Sequence, residues 1–148
     1  VSKLGLAGLR LGFLAGPSEW IGQFDKVRLP YNINVLTQAS AEFALRNVGV
    51  LDEQTARIRQ ERGRLASALC DIEGITPYPS AANFILFRVA GDADAVFEGL
   101  KAQGVLIKNL NRAAGALSGC LRVTVGTPEE NDVFLEALGE TLGNREPS

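Results

Sequence analysis

The chain of 148 residues contains no histidine. That absence excludes histidine-dependent triads, histidine general bases and histidine-ligated metal centres within it. Cysteine is scarce too: Cys70 and Cys120 are too few and too far apart for a disulfide framework or a zinc site. They read as two buried, reduced core thiols of a cytoplasmic protein. No apolar run approaches the length of a membrane span. The opening Val-Ser-Lys and its Gly-rich continuation do not form a signal-peptide pattern. Neither sign of charge is in large excess: 15 basic against 17 acidic residues leave a net charge of −2. A nucleic-acid binder usually carries a basic surplus, and a membrane-surface helix a lysine/arginine-rich run. No nucleic acid, membrane or metal partner is therefore expected. Any chemistry must use Lys, Arg, Asp, Glu, Tyr or a cofactor.

What is present is apolar mass. Hydrophobic residues make up 46% and charged residues 22%, enough for a packed core and too apolar for disorder. Residues 9–15, LRLGFLA, read as a short strand after a Gly-rich turn. Ser18 is placed to cap a helix with Trp20, Ile21 and Phe24 on one face, stopped at Leu29-Pro30. Asn34 caps a second helix over 35–46, ended by Asn47-Val48-Gly49. The longest periodic segment, 51–72, carries Ile58, Leu65, Leu69 and Ile72 at helical spacing. Its arginines fall mostly on other, solvated faces, and Gly74 ends it. A strand over 83–89, a helix over 93–103, a strand over 105–108, a loop over 109–119 and an alternating strand over 120–125 follow. Pro128 then opens a helix capped by Thr127 and running to about residue 142, with Glu129 and Glu130 complementing its dipole.

This order predicts an α/β fold, with residues 50–148 forming a small α/β sandwich. Residues 1–49 hold one strand and two helices, too little to close a core, and read as the edge of a larger domain.

Two segments carry groups suited to chemistry. Lys3 follows Ser2 and precedes a Gly-rich stretch with Arg10 seven residues on. Glycines let a backbone approach an anion closely, an arginine grips a phosphate with two bonds, and a lysine amine condenses with a carbonyl cofactor. Ordinary loop residues would look the same, and the spacing matches neither G-x-G-x-x-G nor the Walker A pattern. In the strand over 120–125, Leu121, Val123 and Val125 share one face, while Arg122 and Thr124 point the other way. On alternation alone, Arg122 is either a binding residue or a solvated strand arginine.

As whole strings, these segments resemble a known family. SKLGLAGLRLGFLAG is similar to the cofactor-lysine segment of fold-type I aminotransferases, and GCLRVTVGTPEEN resembles the C-terminal signature of their histidinol-phosphate aminotransferase branch. LPYNINVLTQ (29–38), SAANFILF (80–87) and GVLIK (104–108) match in register between these anchors.

The resemblance implies the C-terminal part of the aspartate-aminotransferase-like fold and pyridoxal 5'-phosphate as cofactor. It makes Lys3 the catalytic lysine that holds that cofactor, with Ser2 and Arg10 on its phosphate. It makes Arg122 the ligand of a substrate carboxylate, and gives Lys108, Tyr31 and Asn83 substrate-side roles. Lys108 stands where the family often has arginine, so it keeps the charge and loses the fork. The implied activity is transamination between L-histidinol phosphate and 2-oxoglutarate by a full-length, homodimeric parent, the chain alone being inactive. Other fold-type I enzymes (an aromatic or aspartate aminotransferase, or a related decarboxylase) and a non-catalytic structural domain stay open.

Overall fold

The computed structural model describes residues 6–113 and 115–143. The chain forms two compact units, divided between Thr55 and Ala56.

The first unit begins with a 3-10 turn over Ala7–Leu9, closed by Arg10 in the left-handed conformation at φ 50°. Residues 10–17 then run without regular structure. The strand expected over 9–15 is absent because a strand exists only by pairing, and no described strand lies in this unit. Helix α1 spans Ser18–Val27. Pro17, not Ser18, is its N-cap, and no side chain caps it. The Pro17 carbonyl accepts the first helical bonds, from the N–H groups of Trp20 and Ile21, so Ser18 lies inside the helix. Helix α2 spans Val35–Arg46, with the Asn34 side chain accepting from the Thr37 N–H at 2.8 Å. Helix α3, Val48–Cys70, starts directly after Asn47. Gly49 therefore lies inside a helix rather than ending one. It is the second residue of α3, in the helix's first turn.

The second unit holds the rest of α3 and a four-stranded sheet. Its strands are β1 (Ile75–Pro77), β2 (Phe84–Val89), β3 (Lys108–Asn109) and β4 (Cys120–Thr124). Their order is β1-β2-β4-β3, and every pairing is antiparallel. Helix α4 (Ala93–Ala102) follows β2, with the Asp92 side chain capping it, and α5 (Pro128–Gly143) follows β4. The core lies on one sheet face. Ile75, Ile85, Phe87, Val89, Leu121 and Val123 pack there with Leu65 and Leu69 of α3, Val96 and Leu100 of α4, and Phe134 and Leu138 of α5. The Phe87 and Phe134 rings lie 6.1 Å apart at 58°, a tilted aromatic pair. Helices α4 and α5 approach closely where Gly99 faces Thr141. A Cβ at position 99 would stand 2.5 Å from the Thr141 methyl.

Two sequence readings need adjustment here. Cys120 is buried as expected, but Cys70 is exposed. Leu65 and Leu69 take the buried face of α3, and the next residue turns away from it. The strand expected over 105–108 shrinks to Lys108–Asn109. Among the described residues, no helix is long and apolar enough to cross a membrane, and no cluster of three metal-ligating side chains occurs.

Candidate substrate-binding face

The outer face of the second unit's sheet is set by alternation. On β2, Ile85, Phe87 and Val89 turn to the core, while Phe84, Leu86 and Arg88 turn outward. Arg122 of β4 lies opposite Leu86 on one side and Lys108 of β3 on the other. Cross-strand partners point to the same face, so Lys108 and Arg122 stand side by side there. Lys108 is exposed and Arg122 half-buried. The Arg122 guanidinium carbon lies 4.8 Å from the centre of the Phe84 ring, a cation–π contact. Its Nε is buried without a hydrogen-bond partner. Two neighbouring cations, one with a buried unmet donor, suit an anion.

The third cation of this face, Arg88, has another task. Its Nε donates to the Tyr78 hydroxyl at 3.0 Å, and its two terminal nitrogens donate to the carbonyls of Ser118 and Ala116. The Tyr78 hydroxyl beside it raises the Arg88 pKa above its ordinary value. Arg88 thus clamps the segment that joins β3 to β4.

A second tie holds the other end of that segment. Asn109 Nδ2 donates to Asp94 Oδ1 at 2.6 Å, and Asn111 Nδ2 donates to Asp94 Oδ2 at 2.9 Å. The backbone N–H of Asn111 returns to Asn109 Oδ1, and the N–H of Gly119 donates to Asn111 Oδ1 at 2.7 Å. The amide donors of Asn109, and then of Asn111, hold the Asp94 carboxyl below the usual aspartate range.

The turn after β4 is fixed as firmly. Thr127 Oγ1 accepts from the Glu130 N–H at 3.3 Å, while Glu130 Oε2 accepts from the Thr127 N–H at 2.8 Å, forming a capping box. Buried Asn131 accepts from the Gly126 N–H and donates to the Gly126 carbonyl and to Glu61 Oε2. Arg64, and next Asn131, lower the Glu61 pKa, and Arg64 in turn is raised. Gly126 has no room for a side chain, since a Cβ there would lie 2.5 Å from Glu130 Oε2. The string VGTPEEN is therefore the anchor of the strand that carries Arg122.

Of the residues singled out from sequence, the structure brings together Lys108 and Arg122. Asn83 is exposed one residue before Phe84, and its carbonyl accepts from the Val125 N–H at 2.9 Å. Arg10 and Tyr31 belong to the first unit. Both are exposed with positive φ, and Tyr31 is 98% accessible at φ 61°. Ser2 and Lys3 lie outside the described residues. Sequence reasoning passed over Arg88, Asp94, Asn109, Asn111, Glu61 and Asn131. Only the T-x-x-E spacing at 127–130 offered a local signal for any of these ties.

Residues 2–138 match the family model for aminotransferase class I and II. The chain is 57% identical over 142 residues to histidinol-phosphate aminotransferase 2 of Cupriavidus pinatubonensis, covering 96% of the chain and 38% of that protein. Among solved structures, it is similar to histidinol-phosphate aminotransferase from Sinorhizobium meliloti in complex with pyridoxal-5'-phosphate. The TM-score is 0.75 at 29% identity, over 94% of this chain and 38% of that one. It is also similar to a decarboxylase from Sulfurospirillum multivorans, with a TM-score of 0.74 at 27% identity, over 93% of this chain and 40% of that one. The chain spans about two-fifths of the length of the relatives it matches.

Proposed function

The chain belongs to the class I and II aminotransferase family, and from that premise we propose that its full-length enzyme transfers an amino group between L-histidinol phosphate and 2-oxoglutarate. The fold is the C-terminal part of the aspartate-aminotransferase-like fold. The observation that carries the proposal is the Lys108–Arg122 pair with its buried, unpartnered Nε. One substrate ends in a phosphate and the other in a carboxylate. A fork beside a point charge accepts either anion. Asn83 borders this face, and Tyr31 is assigned to the substrate side by resemblance alone.

Pyridoxal 5'-phosphate is the proposed cofactor. The chemistry of the available groups fits it: the Ser2 hydroxyl and the exposed Arg10 guanidinium suit a phosphate, and the Lys3 amine suits an aldehyde. When bound, the cofactor supplies the electron sink for the carbon that bears the amine. Lys3 would hold the cofactor, and its free amine would carry the proton to and from that carbon. Borohydride reduction of the full-length holoenzyme, followed by peptide mapping, should place the label on Lys3. A label on any other lysine overturns this assignment.

Residues 1–49 are assigned to the large cofactor-binding domain and 50–148 to the small domain, within a cytoplasmic homodimer. The isolated chain is expected to be inactive. The decisive assay is amino transfer from histidinol phosphate to 2-oxoglutarate by the full-length enzyme. Carbon dioxide release from an amino acid, without transfer to 2-oxoglutarate, would make it a decarboxylase instead.

A further inference from the structure

We infer that Asp94 is a positioning residue that sets the affinity of the Lys108–Arg122 pair for its anion. The inference rests on the functional reading above and extends it to a residue that touches no substrate.

The ladder that brings the two cations together is very short. Strand β3 has two residues, paired as Lys108 with Arg122 and Asn109 with Leu121. Like charges directly opposite each other weaken a strand pair. The first of the two rungs therefore works against the pairing whenever no anion sits between the cations. Beyond the ladder, the Leu110 N–H donates to the Cys120 carbonyl at 3.1 Å. Arg88 holds the far end of the joining segment through the Ser118 and Ala116 carbonyls, and the support next to β3 itself comes from Asp94. One carboxylate oxygen takes the side chain of Asn109, the residue next to Lys108. The other takes Asn111, which also holds the Gly119 N–H at the entry to β4. A single carboxylate on the first turn of α4 thus ties β3 to the start of β4. Helix α4 is itself fixed in the core through Val96 and Leu100.

Charge and geometry both matter at this site. The two amides present two donors to Asp94, so two acceptor oxygens are required. An Asp94→Asn substitution removes one acceptor and sets a donor against a donor. Adding Asn109→Asp restores every bond, with the one between positions 94 and 109 reversed in polarity and the two from Asn111 unchanged in direction. The new amide at 94 donates to the new carboxylate at 109 and accepts from Asn111, while the second oxygen at 109 still takes the Asn111 N–H. The swap tests whether these bonds are what matters, and the split between KM and kcat separates positioning of the cations from a general loss of structure.

The experiment uses the full-length enzyme in five forms: wild type, Asp94→Asn, the Asp94→Asn/Asn109→Asp pair, Lys108→Ala, and Asp94→Asn combined with Lys108→Ala. Hydrogen exchange is read at the Leu110 and Gly119 amides, and KM and kcat are read with 2-oxoglutarate. Asp94→Asn should speed exchange at both amides and raise KM about tenfold with kcat within about twofold, as expected for a lost charge-assisted hydrogen bond. The reversed pair should bring both readouts back to within about twofold of wild type. With Lys108→Ala already present, Asp94→Asn should add nothing further to KM, the signature of coupled residues. Unchanged exchange in Asp94→Asn overturns the inference whatever the activity. So does faster exchange with an unchanged KM, an equal fall in kcat, or a full additional rise in KM without Lys108. A wild-type enzyme that does not use 2-oxoglutarate overturns the functional reading and, with it, the substrate role of Asp94. The exchange result then still decides whether Asp94 ties the two strands.

Discussion

The two units of this chain use similar amino acids for opposite ends. In the second unit, apolar side chains from three helices and one sheet face close a core in which Leu65, Leu69, Ile85, Phe87 and Leu138 are wholly buried. In the first unit, among the described residues, only Ala41 is a buried hydrophobic, while Phe13, Trp20, Val27, Leu29, Leu36 and Phe43 stand more than half exposed. Apolar content alone did not build a core. The second unit has a paired sheet to pack helices against, whereas the first has helices and, among the described residues, no strand. An exposed apolar surface of this extent marks a region that meets something else.

The sharpest way to break this contrast is substitution in both units. Phe87→Ala removes a ring from the closed core and should cost about 3–5 kcal/mol. Phe43→Ala removes a ring that is 71% exposed and should change stability by less than about 1 kcal/mol. Urea unfolding of the 148-residue chain, followed by far-UV circular dichroism, tests the pair. Equal losses would mean that the first unit is as well packed as the second.

Within the second unit, the core face and the outer face should separate. In the full-length enzyme, Arg122→Ala should weaken 2-oxoglutarate handling by about 2–5 kcal/mol, about 30-fold to several thousand-fold in apparent KM. The fold should be retained, because the side chain leaves the core. An unchanged KM would reduce Arg122 to a solvated strand residue. A smaller effect is expected at Asn131, which is buried and fully bonded. Asn131→Ala strands the Gly126 amide and should cost about 1–3 kcal/mol in the same unfolding experiment.

The smallest effect is that of acid. The folded-state pKa values of Asp94 and Glu61 are depressed. Their stabilisation is therefore fully present above the ordinary carboxylate range and is lost as pH falls through the lower folded values. The thermal midpoint should be flat between about pH 7 and pH 5 and should decline below about pH 4. Asp94→Asn should make that decline shallower, and an identical slope would remove Asp94 from the account.

Local signals gave away much of the second unit. Pro128 with Thr127 marked the start of α5, an apolar run marked β2, and alternation marked β4. In the first unit, Asn34 marked α2. The missed features depend on distant partners. Residues 9–15 look like a strand, but a strand cannot form without a neighbour. Strand β1 is three residues ending at Pro77, too short to alternate visibly. For the candidate site, alternation turned Arg122 outward and the resemblance picked out Lys108, but neither predicted that they face each other. That register depends on the segment between β3 and β4, which is held by Arg88 from β2 and Asp94 from α4. No pattern local to residues 108–122 contains those two anchors.

The unequal burial of Lys108 and Arg122 has a further effect, on selectivity. Dissolved ions reach an exposed ammonium freely and reach a guanidinium half sunk against a ring much less. Rising ionic strength should therefore silence Lys108 first and leave the fork of Arg122 in charge. A doubly charged phosphate is attracted by each cation about twice as strongly as a singly charged carboxylate, so it loses more when one cation is screened. Between about 0.1 M and 1 M salt, where the screening length shrinks from about 10 Å to about 3 Å, KM for the phosphorylated substrate should climb faster than KM for the dicarboxylate. The preference of this face between its two proposed ligands would then follow the medium with no change in the protein.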